Sequence, residues 1–141
     1  MKLDTTQPGA ARIDERLRSD IVIWLGTVRA DGRPHLVAVW FLWDGDTFLI
    51  FSQPGKQKVR NLQQNRNVVL ALDNTQGGDD VIVVEGQATL LASADVDITT
   101  LPAFEKKYST HIKQLGMTPE AMAQSYSQPI RIVPTKFVGL T

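Results

Sequence analysis

The chain has 141 residues, which suits one domain with a sizeable core, and its equal numbers of acidic and basic residues argue against a dedicated nucleic-acid-binding protein. Hydrophobic residues make up 43% of the chain, as in folded proteins, and the absence of cysteine excludes disulfides, thiolate metal sites and cysteine nucleophiles. The first residues lack a signal-peptide pattern and no apolar run is long enough to span a membrane, so we expect a cytoplasmic protein.

The first half of the chain predicts one helix followed by a meander of strands. Ile13 and Leu17 recur at helical spacing, which predicts a helix over residues 10–19 within an N-terminal helical segment, residues 1–20. Three apolar segments rich in β-branched and aromatic residues follow, and short turns with Asp-Gly join them. We predict these segments as strands over 21–28, 35–43 and 47–51.

The second half alternates helices with longer strands. Gly86 predicts a bulge or a close backbone approach in its strand, and Pro134 requires an edge position or a bulge. Pro102 limits or kinks the helix that contains it, and Thr118 is a predicted N-cap with proline at the first helical position. The predicted helices are 56–64, 93–111 and 119–126, and the predicted strands are 68–72, 81–91 and 130–140.

Six strands with short connections and few helices indicate a mainly β fold, a small antiparallel barrel, over one domain of residues 1–141. Residues 21–25 and 37–43 are apolar on both faces of their predicted strands. One face would fill the barrel, and the other needs a cover that the few helices cannot supply. This pattern predicts a homodimer, with Trp40 or Trp43 near the centre of its interface.

A cluster of cations marks the candidate binding site. Lys56, Lys58 and Arg60 fall in the first turn or so of the predicted helix 56–64, directly after a Ser-Gln-Pro-Gly turn. Cations at a helix N-terminus cost energy unless an anion binds there, because the macrodipole makes that end partly positive. Free backbone N–H groups reinforced by lysine and arginine form a phosphate site, which predicts a phosphorylated cofactor. The alternative is a solvated basic helix face.

Outside this cluster the sequence offers few catalytic groups. His35 and His111 are far apart, and without cysteine they cannot build a histidine-rich metal centre. Asp79, Asp80 and Glu85 could act as acid or base, but paired acids in a glycine-rich turn are usually solvated. No nucleophile elbow and no Walker loop occurs. If the protein is an enzyme, a cofactor therefore carries the chemistry while the protein orients it.

Three segments recur in the order and spacing of a known superfamily: Asp-Gly-Arg-Pro-His-Leu at 31–36, Lys-Gln-Lys-Val-Arg-Asn-Leu at 56–62, and Glu-Gly-Gln-Ala at 85–88. Over residues 21–140 the chain resembles the pyridoxamine 5′-phosphate oxidase-like split β-barrel flavoproteins. Within them it is most similar to the actinobacterial branch that uses the deazaflavin coenzyme F-420. The resemblance implies a six-stranded antiparallel split β-barrel of the FMN-binding type, and a homodimer with two cofactor sites at its interface.

The resemblance also implies which residues hold the cofactor. Lysine and asparagine side chains on the helix would bind the phosphate, a serine hydroxyl would add a donor, and second-strand backbone would lie beside the ring. These residues are Lys56, Lys58, Asn61, Ser52, Val37, Ala38 and Val39. FMN and coenzyme F-420 both carry a tricyclic ring on a phosphorylated ribityl chain, so the same cations serve either cofactor.

Two departures argue against the synthesis of pyridoxal phosphate. Pyridoxamine phosphate oxidases begin the second-strand motif with arginine and end it with lysine, where this chain has His35 and Trp40, and their arginine-rich C-terminal signature is absent. We therefore expect an oxidoreductase in which reduced F-420 transfers hydride to a small conjugated or planar acceptor. The alternatives are an FMN-dependent oxidoreductase of the same fold and a non-catalytic protein that binds flavin, deazaflavin or haem.

Overall fold

A computed structural model describes residues 2–72, 77 and 80–138 of the chain. Its strands are β1 (Val22–Val28), β2 (Pro34–Trp40), β3 (Leu42–Trp43), β4 (Phe48–Ser52), β5 (Asn67–Leu72), β6 (Ile82–Leu90) and β7 (Gln128–Phe137). Its helices are α1 (Ala10–Ser19), α2 (Gln57–Gln64), α3 (Pro102–Gln114) and α4 (Pro119–Ser125), with a 3₁₀ turn at Ile98–Thr100. The strands form one antiparallel sheet in the order β2-β1-β5-β6-β7-β4-β3.

This curled sheet confirms the mainly β split-barrel fold, with seven strands rather than the six predicted. The additional strand arises because the segment predicted as one strand, 35–43, is interrupted at Phe41. The residues before the break pair with β1, whereas the residues after it pair with β4. One predicted strand thus supplies both edges of the sheet.

Helix α3 supplies the hydrogen bonds that the sheet does not offer at Phe41. The Phe41 amide donates to the Tyr108 hydroxyl oxygen at 2.9 Å, and that hydroxyl donates to the Ile21 carbonyl at 2.6 Å. The Lys107 ammonium donates to the Phe41 carbonyl at 2.9 Å and lies 3.8 Å from the centre of the Phe41 ring. Burial lowers the pKa of Lys107 to about 8 and raises the pKa of the Tyr108 phenol well above its ordinary value. Tyr108 therefore stays a neutral donor at physiological pH.

Replacing Tyr108 by phenylalanine should lower the free energy of unfolding by about 1–3 kcal/mol, because it leaves the buried Phe41 amide without an acceptor. The matched control is Tyr126→Phe, since Tyr126 is the second tyrosine of the chain and its hydroxyl makes none of the hydrogen bonds found in the described residues. Urea unfolding of the two variants measures the difference. Equal stability of both would show that the Phe41 break does not depend on this hydroxyl.

Two other predicted elements have bounds that differ from the structure by more than one residue. The helix predicted over 93–111 begins only at Pro102, which occupies the first helical position, where a missing N–H costs nothing. The last strand begins two residues before the predicted position 130 and ends at Phe137; residues 139 and 140 lie outside the described part of the chain.

Pro134 occupies the bulge that the sequence allowed, not an edge, because β7 lies between β6 and β4. It faces Gly86 on β6, next to a register shift between Glu85 and Gly86. A Cβ on Gly86 would lie 2.8 Å from the Val133 carbonyl oxygen, so this close approach requires glycine.

Two apolar layers meet at the sheet. The barrel interior contains Leu25, Ile50, Leu70, Val84 and Ile132, all fully buried. A second layer from α3 and α4 covers the other face of β4, where Leu49 and Phe51 pack with Phe104, Tyr108, Ile112 and Met122. All five residues of β4 are therefore buried. No helix in the described residues is long and apolar enough to cross a membrane.

The structure contradicts the interface prediction for Trp43, while the prediction for Trp40 stays untested. Trp43 is 2% exposed, and its indole Nε1 donates to Asp14 Oδ1 at 2.9 Å. Its proposed place at the centre of a dimer interface is therefore wrong, since it belongs to the core of its own subunit. Trp40 is half-buried and stacks on Tyr108 with ring centres 4.5 Å apart. The exposed tryptophan is Trp24, at 46%.

Trp24 belongs to an exposed apolar area on the outer face of the sheet. Ala38 lies directly opposite Trp24 on β2, and in the next row Leu36 and Val69 flank Gly26 from either side. We call this area the outer apolar patch. It consists of Val22, Trp24, Leu36, Ala38 and Val69, all exposed. The prediction that early strands are apolar on both faces is thus confirmed for β1 and β2.

Candidate functional site

A pocket of about 310 Å³ lies at the seam where β2 approaches β4. This volume is at the lower end of the range for small-molecule sites, about 300–1,000 Å³. Side chains from both halves of the chain line it, and most of them are apolar. They are Ala38, Val39 and Trp40 of β2, Phe51 of β4, Lys58 of α2, and Ile98, Phe104, Leu115, Met122 and Tyr126 of the helical region.

The wall from β2 is an edge strand. Among the described residues β2 pairs only with β1, so the backbone N–H and C=O groups on its other side have no ladder partner there. Ala38 and Val39 line the pocket, and the Val37 side chain packs against the barrel core; contact of the backbone of these three residues with a cofactor ring stays a prediction. A planar molecule in the pocket can therefore hydrogen-bond to main chain without competing with the sheet.

Lys58 is the one cationic side chain among the described pocket-lining residues. Burial, followed by repulsion from Lys56, lowers the pKa of Lys58 below its ordinary value. Lys56 itself is exposed and occupies the N-cap position of α2, where no side chain caps the helix and no acidic residue lies in the first turn. The first turn of α2 thus presents backbone N–H groups and two lysines without a neighbouring carboxylate, which is a favourable anion site.

Arg60, the third cation of the predicted cluster, already has hydrogen-bond partners within the protein. Its guanidinium donates to the Gly55 carbonyl and, at 2.7 Å, to Gln57 Oε1. Gly55 has a positive φ of 77°, as the turn before the helix requires. Arg60 therefore fastens α2 to its preceding turn, and the cationic site reduces to Lys56 and Lys58.

Ser52 and Asn61 are buried and already hydrogen-bonded within the protein. The Ser52 hydroxyl donates to the Gln53 carbonyl at 2.8 Å. Asn61 Nδ2 donates to Thr27 Oγ1 at 2.9 Å, and Asn61 Oδ1 accepts from Gln57 at 2.7 Å. Asn61 thus holds α2 against β1. A phosphate contact from Asn61 stays a prediction and would use its second amide hydrogen; the donor role of Ser52 stays a prediction as well.

The sequence reasoning missed the helical wall of the pocket. Phe104, Tyr108 and Ile112 recur at i, i+4 spacing, which indicates a buried helix face but not what it covers. In the structure this face packs on the outer side of β4, and Met122 and Tyr126 complete the wall. Since the order of strands decides which face α3 can reach, periodicity alone could not have found these residues.

The remaining acids and histidines of the described residues form no group that could hold a metal ion. Asp80 pairs with Arg12 and Arg16 of α1, and the hydrogen bond from Arg12 is the main cause of its lowered pKa. Asp79 lies outside the described residues, and Glu85 is exposed on β6. Across residues 2–72, 77 and 80–138, no three His, Asp or Glu side chains are grouped so that they could hold a metal ion.

Comparison with known proteins agrees with this architecture. An F-420 reductase of known structure is 25% identical, with a TM-score of 0.69, over 88% of this chain and 94% of that one. A conserved hypothetical protein from Mycobacterium tuberculosis is 23% identical, with a TM-score of 0.68, over 90% and 81%. The haem storage protein HutZ from Vibrio cholerae is 17% identical, with a TM-score of 0.61, over 96% and 92%.

No curated protein matches the sequence significantly. Residues 10–138 match the protein family described as pyridoxamine 5′-phosphate oxidase, and this match covers both walls of the pocket and the cationic turn of α2. The chain belongs to the pyridoxamine 5′-phosphate oxidase family.

Proposed function

We propose that the pocket binds the ring of a phosphorylated deazaflavin, and that the protein uses reduced coenzyme F-420 to reduce a small conjugated or planar acceptor. The observation that carries the proposal is the half-buried Lys58, which lines an otherwise mainly apolar pocket beside the uncapped first turn of α2. A desolvated lysine next to a second lysine is unfavourable in the free protein, and a bound phosphate would relieve that cost.

Different pocket residues would hold different parts of such a cofactor. Lys58 and Lys56, with the first N–H groups of α2, suit the phosphate, and the free edge of β2 at Ala38 and Val39 suits the polar rim of a ring. Trp40 and the helical wall offer apolar surface that would keep water from the reactive carbon. When bound, the deazaflavin supplies the hydride chemistry, so the protein needs to bind and orient it.

The proposed reductase acts as a homodimer in the cytoplasm. The outer apolar patch reaches the pocket at Ala38, which belongs to both. A groove of about 450 Å³ adjoins the patch at Gly26 and Val69. Because soluble monomers rarely expose contiguous apolar areas of this kind, a second copy of the chain is the occupant we propose, and it would complete the cofactor site from the outside.

Titration of the purified protein with F-420 and, separately, with FMN tests the cofactor assignment. We expect F-420 fluorescence to be quenched at micromolar cofactor, since two lysines, helix N–H groups and an apolar wall act together, and we expect no comparable response to FMN. Tight FMN binding without a response to F-420 would instead identify an FMN-dependent oxidoreductase of the same fold. Binding of neither cofactor would contradict the proposal.

One observation favours a second candidate, a protein that binds a flavin, deazaflavin or haem without catalysis. The described lining residues include no carboxylate and no histidine that could pass a proton to an acceptor. Haem storage is the stated role of HutZ, which shares the fold. A screen of quinone, enone and nitroaromatic acceptors with the reduced cofactor separates the two candidates, because a storage protein would bind the cofactor and oxidise it no faster than buffer does.

A further inference from the structure

His35 is linked to helix α2 through its cross-strand neighbour Thr27. It faces Thr27 directly across the β1–β2 pair, so the two side chains share the inner face of the sheet. The hydroxyl of Thr27 accepts a hydrogen bond from Asn61, which fastens α2 over this pair of residues. Lys58 lies three residues before Asn61 on α2, and its positive charge contributes to the lowered pKa of His35.

The His35 ring is poorly satisfied in the free protein. Its Nδ1 is buried and has no hydrogen-bond partner among the described residues. Burial, then the positive charge of Arg29 after β1, then that of Lys58 lower the pKa of His35 below 6.5. Thr27, its neighbour on β1, is neutral. The ring is therefore mainly uncharged at neutral pH, with two cations near it and a buried nitrogen left without a partner.

We propose that His35 takes up a proton when a phosphate group binds beside Lys58, so that anion binding at α2 is coupled to protonation of this half-buried histidine at the start of β2. The inference rests on the proposed function for the position of the phosphate, and it adds a proton-linked residue to that site. The balance is simple: one proton passes from solvent to the imidazole and no covalent bond to the ligand forms.

Electrostatic interactions determine whether phosphate binding raises or lowers the pKa of His35. A phosphate dianion beside Lys58 offsets the field that Lys58 and Arg29 exert on the ring, so the protonated form becomes more favourable in the complex than in the free protein. Linkage then requires that the complex bind more protons than its separated parts. Between the free and bound pKa values of His35, the histidine contribution weakens binding by up to about tenfold for each unit rise in pH.

Calorimetric titration with FMN, F-420 or inorganic phosphate tests the coupling. At a fixed pH near 7, buffers with different ionisation enthalpies report the number of protons taken up, and a series from about pH 6 to pH 8 reports the slope. The phosphate itself titrates near pH 6, so the informative quantity is the difference between the wild type and His35→Asn, which cannot titrate. His111→Asn is the matched control, because His111 is the other histidine and its Nδ1 is also buried without a partner.

Proton NMR of the two imidazole rings in the wild-type protein gives an independent measurement that does not depend on whether His35→Asn folds. The spectrum of His111→Asn lacks the His111 signals and so identifies those of His35. We expect ligand to raise the titration midpoint of His35. Binding with an unchanged His35 midpoint would overturn the coupling and leave the proposed function intact. If neither cofactor binds but phosphate shifts His35, the proposed function fails and the coupling holds; no shift with any of the three ligands overturns the coupling.

Discussion

Replacing Lys58 by alanine should weaken cofactor binding by about 1.5–3 kcal/mol, the value of a hydrogen bond to a charged group, which is a loss of about 10- to 150-fold in affinity. Lys58 lines the pocket and is half-buried, so water replaces a bound phosphate less well as a partner of its ammonium group than it would at an exposed lysine. Lys56→Ala should have an equal or smaller effect, because Lys56 is exposed and interacts through solvent. Fluorescence titration with the cofactor measures both losses.

Without cofactor, the Lys58→Ala variant should be as stable as the wild type or more stable. The folded-state pKa of Lys58 is lowered by burial and by Lys56, so its charged form is less favourable folded than unfolded. This cost is present at pH values below the folded pKa and disappears above the unfolded pKa of 10.5, so the alanine variant gains stability at neutral pH. Arg60→Ala is the control, because Arg60 lies on the same helix and carries the same charge as Lys58, but its guanidinium is hydrogen-bonded to Gly55 and Gln57. If Lys58→Ala binds the cofactor with the affinity of the wild type but has a lower melting temperature, Lys58 has a structural role and does not bind the cofactor.

Replacing Trp24 by glutamate should dissociate the proposed dimer and abolish cofactor binding together with it. Trp24 is 46% exposed at the centre of the outer apolar patch, opposite Ala38 of the pocket. Buried aromatic residues at interface centres carry much of the binding free energy, at least about 2 kcal/mol each, and a buried unpaired carboxylate adds a further penalty. Sedimentation velocity at micromolar protein, with and without cofactor, measures the outcome.

Trp24→Phe is the matched control, because it keeps an apolar ring at the same position and should preserve both assembly and binding. Trp43→Glu is expected to behave differently from Trp24→Glu: it places a charge in the core of one subunit, beside Phe48, and should unfold the chain rather than separate two folded copies. A 15.6 kDa monomer that binds cofactor fully, in the wild type or in Trp24→Glu, would contradict the shared site.

Local features of the fold could be predicted from sequence because local chemistry decides them. The turns before β2 and α2 each carry a glycine with positive φ, and the Asp-Gly and Pro-Gly pairs signal them. Pro119 begins its helix as predicted, because proline lacks the N–H that a first turn leaves unpaired. The cations at α2 could be recognised because they oppose the helix dipole.

The break at Phe41 could not be predicted in this way. Residues 37–43 contain no glycine or proline, and their β propensity is high throughout. The groups that make the break stable, Tyr108 and Lys107, come from a helix more than sixty residues further along the chain. The burial of Trp43 has a similar cause, since its partner Asp14 belongs to α1. Each of these features depends on a tertiary contact that periodicity does not encode.

The single residue between β2 and β3 also limits how the binding site can deform. These strands are neighbours in the chain but occupy opposite edges of the sheet, so the barrel is closed at Phe41 by covalent bonds rather than by a ladder of hydrogen bonds. Near Phe41 the two edges cannot separate without breaking this covalent connection, whereas towards Ser52 they are held by non-covalent contacts, among them the hydrogen bond from Asn61 of α2 to Thr27 of β1. We therefore expect the pocket to discriminate ligands more by the width of the part bound near Phe41 than by the length of the part that extends past Lys58.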